Sequence, residues 1–296
     1  MRFGLVGTGY WARTVHGAGL RDSEAVDLVG VWGRDSQKTA ALAGELDAAP
    51  YDDLDAMIDA VEAVAFAVPP AVQADAALRA ALAGRHLLLE KPIATTVEDA
   101  DRLAEAVEES GVASLVFFTG RFLPEQREWL REVSGGSWEG GFARWLGSAF
   151  ATGSPYAESI WRREKGGLWD VGPHALAMLT GALGPITGVR ADAGLGDLVH
   201  LVLHHEGGET STATLTLSAP PAATGFALTL WGVSGTSVMP TGSTPPVAAL
   251  GLAAAELVGG VNAGRTSHPC DVRLGRDVVH VLAEAQRQVD SISANP

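Results

Sequence analysis

The feature that most constrains this chain is a glycine-rich turn near its N-terminus. The segment Gly7–Ala12 reads G-T-G-Y-W-A and matches the pattern G-x-G-x-x-G/A. It follows a predicted strand and opens a predicted helix, the setting in which this pattern binds dinucleotide phosphates. Gly7 permits the tight turn, and Gly9 lets the main chain approach a pyrophosphate at the helix N-terminus. We therefore predict a dinucleotide-binding turn; the alternative is a glycine-rich turn that binds no ligand.

The region around this turn, residues 1–119, alternates predicted strands and helices, which is typical of βαβ units on a parallel sheet. Strands are predicted at Arg2–Val6, Val26–Trp32, Ala63–Ala67, His86–Leu89 and Ser114–Phe118. Helices are predicted at Trp11–Leu20, Ser36–Ala43 with Asp35 as N-cap, Leu54–Ile58, Ala71–Ala83, and from a capping box of Thr95 and Glu98 to Gly111. This pattern predicts an α/β protein whose N-terminal Rossmann domain has a doubly wound parallel sheet.

The pattern changes in residues 120–296, where apolar and polar residues alternate in several short runs. Strands are predicted at Phe142–Phe150, Val189–Ala193, Leu198–His205, Thr210–Ser218 and Phe226–Val233, and helices at Pro124–Val133, Leu168–Leu183, Val247–Val258 and Val272–Val289. Alternation of this kind is typical of an antiparallel sheet with one covered face. We predict a C-terminal α+β domain with a mostly antiparallel open sheet.

Composition excludes several classes of partner. The net charge is −14, and no basic stripe is present that could displace counterions from nucleic acid. No apolar run is long enough for a membrane span or a secretory signal. Cys270 is the only cysteine, so we expect a cytoplasmic protein without disulfides. His200, His204 and His205 resemble a metal cluster, but strand geometry separates them, so no metal site is expected.

The cofactor type depends on the end of the second predicted strand. An Asp or Glu there normally holds the adenine ribose hydroxyls, but this chain has Gly33 followed by Arg34. A guanidinium can bind a 2′-phosphate, so the pair favours NADP, with NAD as the second possibility. In the alternative interpretation, Asp35 takes the ribose role and Arg34 is a solvated surface residue.

Two further segments carry residues suited to proton transfer. Lys91, in the triplet Glu90-Lys91-Pro92, follows a predicted strand, and parallel sheets bind ligands at that edge. Asp170 and His174 are four residues apart, so a helix would place both on one face, with the carboxylate supporting a protonated imidazole. Each also has an ordinary interpretation, namely an exposed loop lysine, and a helix-capping aspartate with a buried histidine.

Together these segments resemble the glucose–fructose oxidoreductase, inositol dehydrogenase and rhizopine catabolism family (Gfo/Idh/MocA). The family's E-K-P stands as Glu90-Lys91-Pro92 and its D-x-G-x-H as Asp170–His174, while Arg121-Phe122 and Trp161-Arg162 match its R-F and W-R pairs. The resemblance is clear from Arg2 to about Leu183. The chain departs from the family at Val68-Pro69, which replaces T-P, and at Gln73 and Ala177, where His and an acid are common.

The resemblance implies a set of site residues. It implies Lys91, Asp170 and His174 as the catalytic set, and substrate contacts from Arg121, Trp161 and Arg162. The expected cofactor contacts are Gly7, Gly9, Tyr10, Trp11, Ala12, Gly33, Arg34, Val68, Pro69, Glu90 and Lys91.

The function implied is an NAD(P)-dependent oxidoreductase. Hydride would pass between nicotinamide and a carbinol or carbonyl carbon of a sugar, polyol or related small alcohol. One alternative is a non-catalytic dinucleotide-binding regulator of the same family, and another is a reductase related to dihydrodiol dehydrogenase or biliverdin reductase. The family also implies that residues 120–296 form a domain that binds substrate and supports oligomerisation, giving a homo-oligomer, a dimer or tetramer, through the open face of the second sheet.

Overall fold

The structure is a computed structural model, and it describes residues 1–233 and 235–294. Its strands are Arg2–Val6 (β1), Asp27–Trp32 (β2), Ala49–Tyr51 (β3), Ala63–Phe66 (β4), His86–Leu89 (β5), Ser114–Val116 (β6), Trp138–Leu146 (β7), Ile186–Ala193 (β8), Val199–His205 (β9), Thr210–Thr216 (β10), Gly225–Gly232 (β11) and Gly235–Val238 (β12). Its α-helices are Ala18–Arg21 (α1), Ser36–Glu45 (α2), Leu54–Ala60 (α3), Pro70–Leu82 (α4), Val97–Ser110 (α5), Pro124–Val133 (α6), Ile160–Asp170 (α7), Gly172–Leu183 (α8), Pro246–Asn262 (α9) and Val272–Ala294 (α10). A π-helical segment, Ala12–Gly17, leads into α1, and short 3-10 turns lie at Thr119–Phe122 and Pro221–Ala223.

The first sheet is the predicted parallel sheet. Its order is β3-β2-β1-β4-β5-β6, and every neighbouring pair is parallel. The Rossmann prediction is therefore confirmed, with the strand order reversing between β1 and β4. Strand β3 was not predicted, because its three residues include Pro50, which cannot donate to a strand ladder. Its position at the sheet edge explains why proline is tolerated there.

The second sheet is mostly antiparallel, as predicted. Its order is β12-β11-β7-β10-β9-β8, and only the β7–β10 pair is parallel. Strand β9 alternates buried and exposed residues along its whole length. One face of the sheet is thus covered and the other open. Strand β7 begins at Trp138, four residues before the predicted start, because two glycines obscure the alternation there.

The chain divides into two compact units with a discontinuous boundary. Unit 1 contains Met1–Leu123 and Thr244–Asp277, and unit 2 contains Pro124–Ser243 and the described part of Val278–Pro296. This grouping differs from the expected single division between residues 119 and 120. The reason is α9, which buries an alanine-rich face within unit 1 and lies against Gly19 through Val247 and Leu250.

Helix boundaries agree with the sequence where local capping decides them. Asp35 caps α2, as predicted, and Gly111 ends α5 in the left-handed conformation. The predicted capping box was displaced by one residue, since Thr96, and not Thr95, accepts the hydrogen bond from the amide of Asp99. The single helix predicted at Leu168–Leu183 is instead the end of α7 followed by α8.

Candidate active site

The glycine-rich turn is built around two glycines with different surroundings. Gly7 has φ +131°, donates its N–H to the carbonyl of Trp32 over 2.9 Å, and approaches the main chain of Ala67. A Cβ at Gly7 would lie 2.4 Å from the carbonyl oxygen of Ala67, so the fold itself demands glycine. Around Gly9, by contrast, a Cβ would meet no described heavy atom within 4 Å. That open space in front of the main chain fits a bound pyrophosphate.

The helix after the turn starts at Tyr10 and has its first hydrogen bond from the amide of Arg13 to the carbonyl of Gly9, 3.0 Å long. Ala12 is fully buried, as expected for the last position of the pattern, where a small residue lets the helix pack closely on the strand. Tyr10 is about half exposed, at 54%. The N-terminal amides of this helix follow the open turn, where the helix dipole favours an anion.

The two interpretations of cofactor type concern the residues after β2. A Cβ at Gly33 would lie 2.6 Å from the methyl carbon of Thr8, so the end of β2 packs against the glycine-rich turn. The carboxylate of Asp35 caps α2 by accepting from the amides of Gln37 and Lys38, each over 3.1 Å. The Lys38 amide is the main cause that holds the pKa of Asp35 below its usual value. Asp35 is thus engaged by its own helix, while Arg34 is exposed.

The expected cofactor residues of unit 1 lie at one edge of the first sheet. Val68 and Pro69 come two and three residues after the end of β4, and Glu90 and Lys91 are the first two residues after β5, so both pairs follow the carboxyl end of a strand. Val68 also reaches the glycine-rich turn, since a Cβ at Gly7 would lie 3.2 Å from its Cγ1. Ligands of open parallel sheets bind at this edge, where the strand order reverses.

The carboxylate of Glu90 joins the glycine-rich turn to the segment of Lys91. Its Oε1 accepts from Nε1 of Trp11 over 2.7 Å and lies 2.8 Å from Nε2 of His16, while Oε2 accepts from the amide of Lys91 over 3.1 Å. Glu90 is 8% exposed and His16 is fully buried. Sequence reasoning missed His16, although a histidine among the small and apolar residues of the helix's buried face was a visible signal.

Gln73 is the second residue that sequence reasoning missed. Its side chain is fully buried, accepts from the amide of Glu90 over 2.8 Å and donates to the carbonyl of Glu90 over 2.7 Å. The same amide group lies 3.3 Å from the carbonyls of Pro92 and Ile93. Gln73 was noticed only as a departure from the family pattern, and no local signal showed that it binds the main chain on both sides of Lys91.

In unit 2, Asp170 and His174 lie on either side of the junction between α7 and α8. Pro173 occupies the first turn of α8, where a proline is tolerated. Both Asp170 and His174 are less than a tenth exposed. The imidazole of His174 stacks on Trp145 with ring centroids 4.9 Å apart, and Trp145 stacks in turn on Phe226. The orientation of His174 by Asp170 stays a prediction.

The two expected substrate residues of unit 2 contact this region. Arg162 donates from Nε to the carboxylate of Asp170 over 2.9 Å, and its guanidinium lies 4.1 Å from the ring centre of Tyr156. Nε1 of Trp161 is buried and has no hydrogen-bond partner among the described residues. Arg121, the third expected substrate residue, lies in unit 1, in the turn Thr119–Phe122.

Asp197, in the loop between β8 and β9, binds α7 at Gly167, a few residues before Asp170. Its carboxylate accepts from the amide of Gly167 over 2.9 Å, from the amide of Leu217 over 2.7 Å and from the hydroxyl of Thr216 over 2.5 Å. Burial opposes the ionised form, but the hydrogen bonds outweigh it, so the pKa of Asp197 lies below its usual value. Asp197 was also missed, since nothing near it in sequence points to Gly167.

The histidines of β9 face opposite sides of the sheet, as strand geometry predicts. His204 is exposed, whereas His205 is buried between the carbonyl of Gly184 and the hydroxyl of Ser211, each 2.8 Å away. Within residues 1–233 and 235–294, no group of three or more His, Cys, Asp or Glu side chains could hold a metal ion. In the same ranges, no helix is long and apolar enough to cross a membrane.

Comparison with known sequences identifies relatives for the N-terminal part. Residues 1–118 match the profile of an oxidoreductase family with an NAD-binding Rossmann fold. Glucose-6-phosphate 3-dehydrogenase of Bacillus subtilis is 29% identical over 122 residues, which are 41% of this chain and 35% of that protein. The NADP(+)-linked scyllo-inositol 2-dehydrogenase of the same organism is 28% identical over 131 residues, 43% of this chain and 40% of that protein. The matched stretches thus span less than half of these relatives.

Comparison with solved structures extends the likeness to the whole fold. The WlbA dehydrogenase from Bordetella pertussis, solved in complex with NADH and UDP-GlcNAcA, superimposes with a TM-score of 0.83 at 21% identity, over 98% of this chain and 96% of that one. At this identity the likeness shows the fold alone.

Proposed function

We propose that the chain is an NAD(P)-dependent dehydrogenase of the Gfo/Idh/MocA oxidoreductase family, whose profile residues 1–118 match. Its substrate is a sugar, polyol or related small alcohol, with hydride passing between nicotinamide and a carbinol or carbonyl carbon. The observation that carries the proposal is the open main chain at Gly9, at the same sheet edge as Lys91. Sugar and polyol dehydrogenases among the relatives support it.

The proposed roles follow from the chemistry of the side chains. When bound, the dinucleotide supplies the hydride chemistry. Lys91 hydrogen-bonds the substrate oxygen and stabilises negative charge on it. His174 exchanges a proton with the substrate hydroxyl, and Asp170 favours its charged form. Burial of both His174 and Asp170 supports these roles, because proton transfer needs groups whose orientation is restricted.

The substrate contacts proposed for unit 2 are Trp161 and Arg162, with Arg121 from unit 1. Two observations support the unit 2 pair. Nε1 of Trp161 is a buried donor without a partner among the described residues, and a sugar hydroxyl could satisfy it. Arg162 already binds Asp170, so it also sets the charge around the proposed acid–base pair.

NADP is the proposed cofactor in preference to NAD. The absence of a carboxylate at Gly33 and the exposed guanidinium of Arg34 favour a 2′-phosphate. The alternative role of Asp35 on the ribose is disfavoured, because its carboxylate already accepts two amides of α2.

Assembly and location complete the proposal. We propose a cytoplasmic homo-oligomer, a dimer or tetramer, that buries the open face of the second sheet. Phe142 and Val202 flank Thr212 in one row across that face, and both are more than two-fifths exposed, as is the neighbouring Trp231. Mass measurement by light scattering tests the assembly.

The function is tested by fluorescence titration with NADPH and NADH, followed by a turnover screen of polyols and sugars that includes scyllo-inositol and glucose 6-phosphate. We expect tighter binding of NADPH. Lys91→Met and His174→Asn should each lower turnover by at least about 100-fold, the usual scale for proton-transfer groups, with NADPH affinity within about threefold of the parent. Absence of hydride exchange with every alcohol, despite dinucleotide binding, would instead favour the regulator.

A further inference from the structure

Both carboxylate oxygens of Glu90 have hydrogen-bond partners within unit 1. Oε1 lies within hydrogen-bond distance of Trp11 and His16, and Oε2 accepts from the amide of Lys91. A carboxylate at 8% exposure with these partners has little capacity left for a ligand. Glu90 was expected to contact the cofactor, and these partners suit it equally to a positioning role within unit 1.

Burying the polar imidazole of His16 at this position costs free energy. It has no exposed surface, its Nδ1 has no hydrogen-bond partner among the described residues, and its ring meets Phe117 edge-on, with centroids 5.9 Å apart. It lies in the π-helical segment Ala12–Gly17, and π-helical turns inside helices are frequent at functional sites. A buried polar group with one unsatisfied atom costs free energy, so the bond from Nε2 to Glu90 calls for a functional reason.

The segment that carries Lys91 is held along its length by side chains from elsewhere in unit 1. Gln73 binds the amide and carbonyl of Glu90, before Lys91, and lies near the carbonyls of Pro92 and Ile93, after it. The amide of Lys91 itself binds Glu90. The position of the Lys91 main chain therefore depends on the position of the Glu90 side chain.

We propose that Glu90 and His16 couple the dinucleotide-binding turn to Lys91, so that binding of a dinucleotide orders the Lys91 segment for reaction. Trp11 belongs to the turn and His16 to the helix behind it, and both bind the same carboxylate oxygen. A ligand that restrains this turn and helix also restrains Glu90 and, through Oε2, the amide of Lys91. Glu90, His16 and Gln73 are then positioning residues; the inference rests on the proposed role of Lys91.

A matched pair at position 16 tests the coupling. His16→Leu removes the group that binds Glu90, whereas His16→Gln keeps an N–H at similar reach. Hydrogen exchange of peptides covering residues 88–93 is measured without and with saturating NADPH. We expect NADPH to slow exchange at least about fivefold in the parent and in His16→Gln, and less than twofold in His16→Leu. Equal slowing in all three proteins would overturn the proposal.

Steady-state kinetics separate this inference from the proposed function. A shift of about 1 Å can cost on the order of 100-fold in rate. His16→Leu and Glu90→Gln should therefore lower kcat at least about tenfold, with the substrate KM and the NADPH Kd within about threefold. A raised Kd with unchanged kcat would make Glu90 a cofactor contact and overturn the coupling. Parent-like turnover in Lys91→Met would refute the proposed role of Lys91, whatever the exchange data show.

Discussion

Two segments carry the proposed catalytic side chains, and each is held by a carboxylate that reaches it by a different route. In the lysine segment, Glu90–Pro92, the carboxylate of Glu90 belongs to the segment and binds the next amide. In the kink segment, Gly166–His174, the carboxylate comes from Asp197, in a loop of the second sheet. Glu90 is the sequence neighbour of Lys91, the residue that it positions. Asp197, by contrast, reaches Gly167 only once β8, β9 and β10 have assembled.

Glycine plays a parallel role in the two regions. Gly7 approaches the main chain of Ala67, and Gly167 approaches that of Thr216, where a Cβ would lie 2.6 Å from Cα. Gly166, with φ +61°, breaks the helix just before this contact. In both regions a main chain passes too close for any side chain, so the proposed sites depend on close packing as well as on hydrogen bonds.

The largest expected effect comes from adding a methyl group at these two contacts. Gly7→Ala should lower the free energy of unfolding by about 3–5 kcal/mol, because overpacking against a carbonyl adds to strain at positive φ. Gly167→Ala should cost about 2–3 kcal/mol, from overpacking alone. Urea denaturation measures both. If Gly167→Ala proved the more damaging, backbone strain at Gly7 would not be the deciding term.

Removing a polar support should have the next largest effect. Gln73→Met leaves the amide and carbonyl of Glu90 unpaired in a dry environment and should cost about 2–3 kcal/mol. Asp197→Ala should cost about 1–2 kcal/mol, because its half-buried position lets water replace part of the carboxylate. Asp197→Asn, which keeps one acceptor oxygen, should fall between Asp197→Ala and the parent in the same denaturation assay.

Gly9 should behave differently from Gly7 and Gly167, because its surroundings are open. Gly9→Ala should leave the free energy of unfolding within about 0.5 kcal/mol of the parent. It should weaken NADPH binding at least about tenfold, equivalent to roughly 1.4 kcal/mol. Gly44→Ala is the matched control, since a Cβ there also meets no described atom within 4 Å, but in α2. NADPH fluorescence measures binding. Equal NADPH affinity in Gly9→Ala and Gly44→Ala would show that the cofactor phosphates do not bind at the main chain of Gly9.

The smallest effect is the pH dependence contributed by His86 in unit 1, which is half-buried, and by His205 in unit 2, which is buried. Burial lowers the pKa of His86 in unit 1 and of His205 in unit 2 below the ordinary value of 6.5. Folding therefore favours the neutral form of each imidazole. The contribution of each histidine to the free energy of unfolding is complete above pH 6.5 and declines as the pH falls through the lowered pKa. Denaturation at pH 8 and pH 5.5 compares each variant with the parent, because His268, with its pKa raised to about 9, contributes in the opposite direction in both proteins. In His86→Asn and His205→Asn, the free energy of unfolding should fall less between pH 8 and pH 5.5 than it does in the parent. A larger fall in the free energy of unfolding in either variant than in the parent would mean that folding raises, and does not lower, the pKa of that histidine.

Local signals predicted much of the fold and the segments on which the candidate site residues lie. The glycine pattern, the Asp35 cap and the alternation along β9 depend on residues within a few positions of one another, so they are legible without a partner. Gln73, His16 and Asp197 act on segments 17, 74 and 30 positions away in the chain. Their side chains show no pattern until the strands are assembled.

The sequence by itself determined that a dinucleotide-type turn follows β1, that Lys91 follows β5, and that Asp170 and His174 flank a helix start. Backbone conformation, capping and periodicity are short-range effects, and they sufficed for these conclusions. Tertiary structure alone decided that α9 returns to unit 1, that β7 and β10 run parallel, and that Glu90 and Asp197 are supports. Each of these depends on which distant main-chain groups become neighbours, because a buried polar group must find its partner wherever the fold provides one.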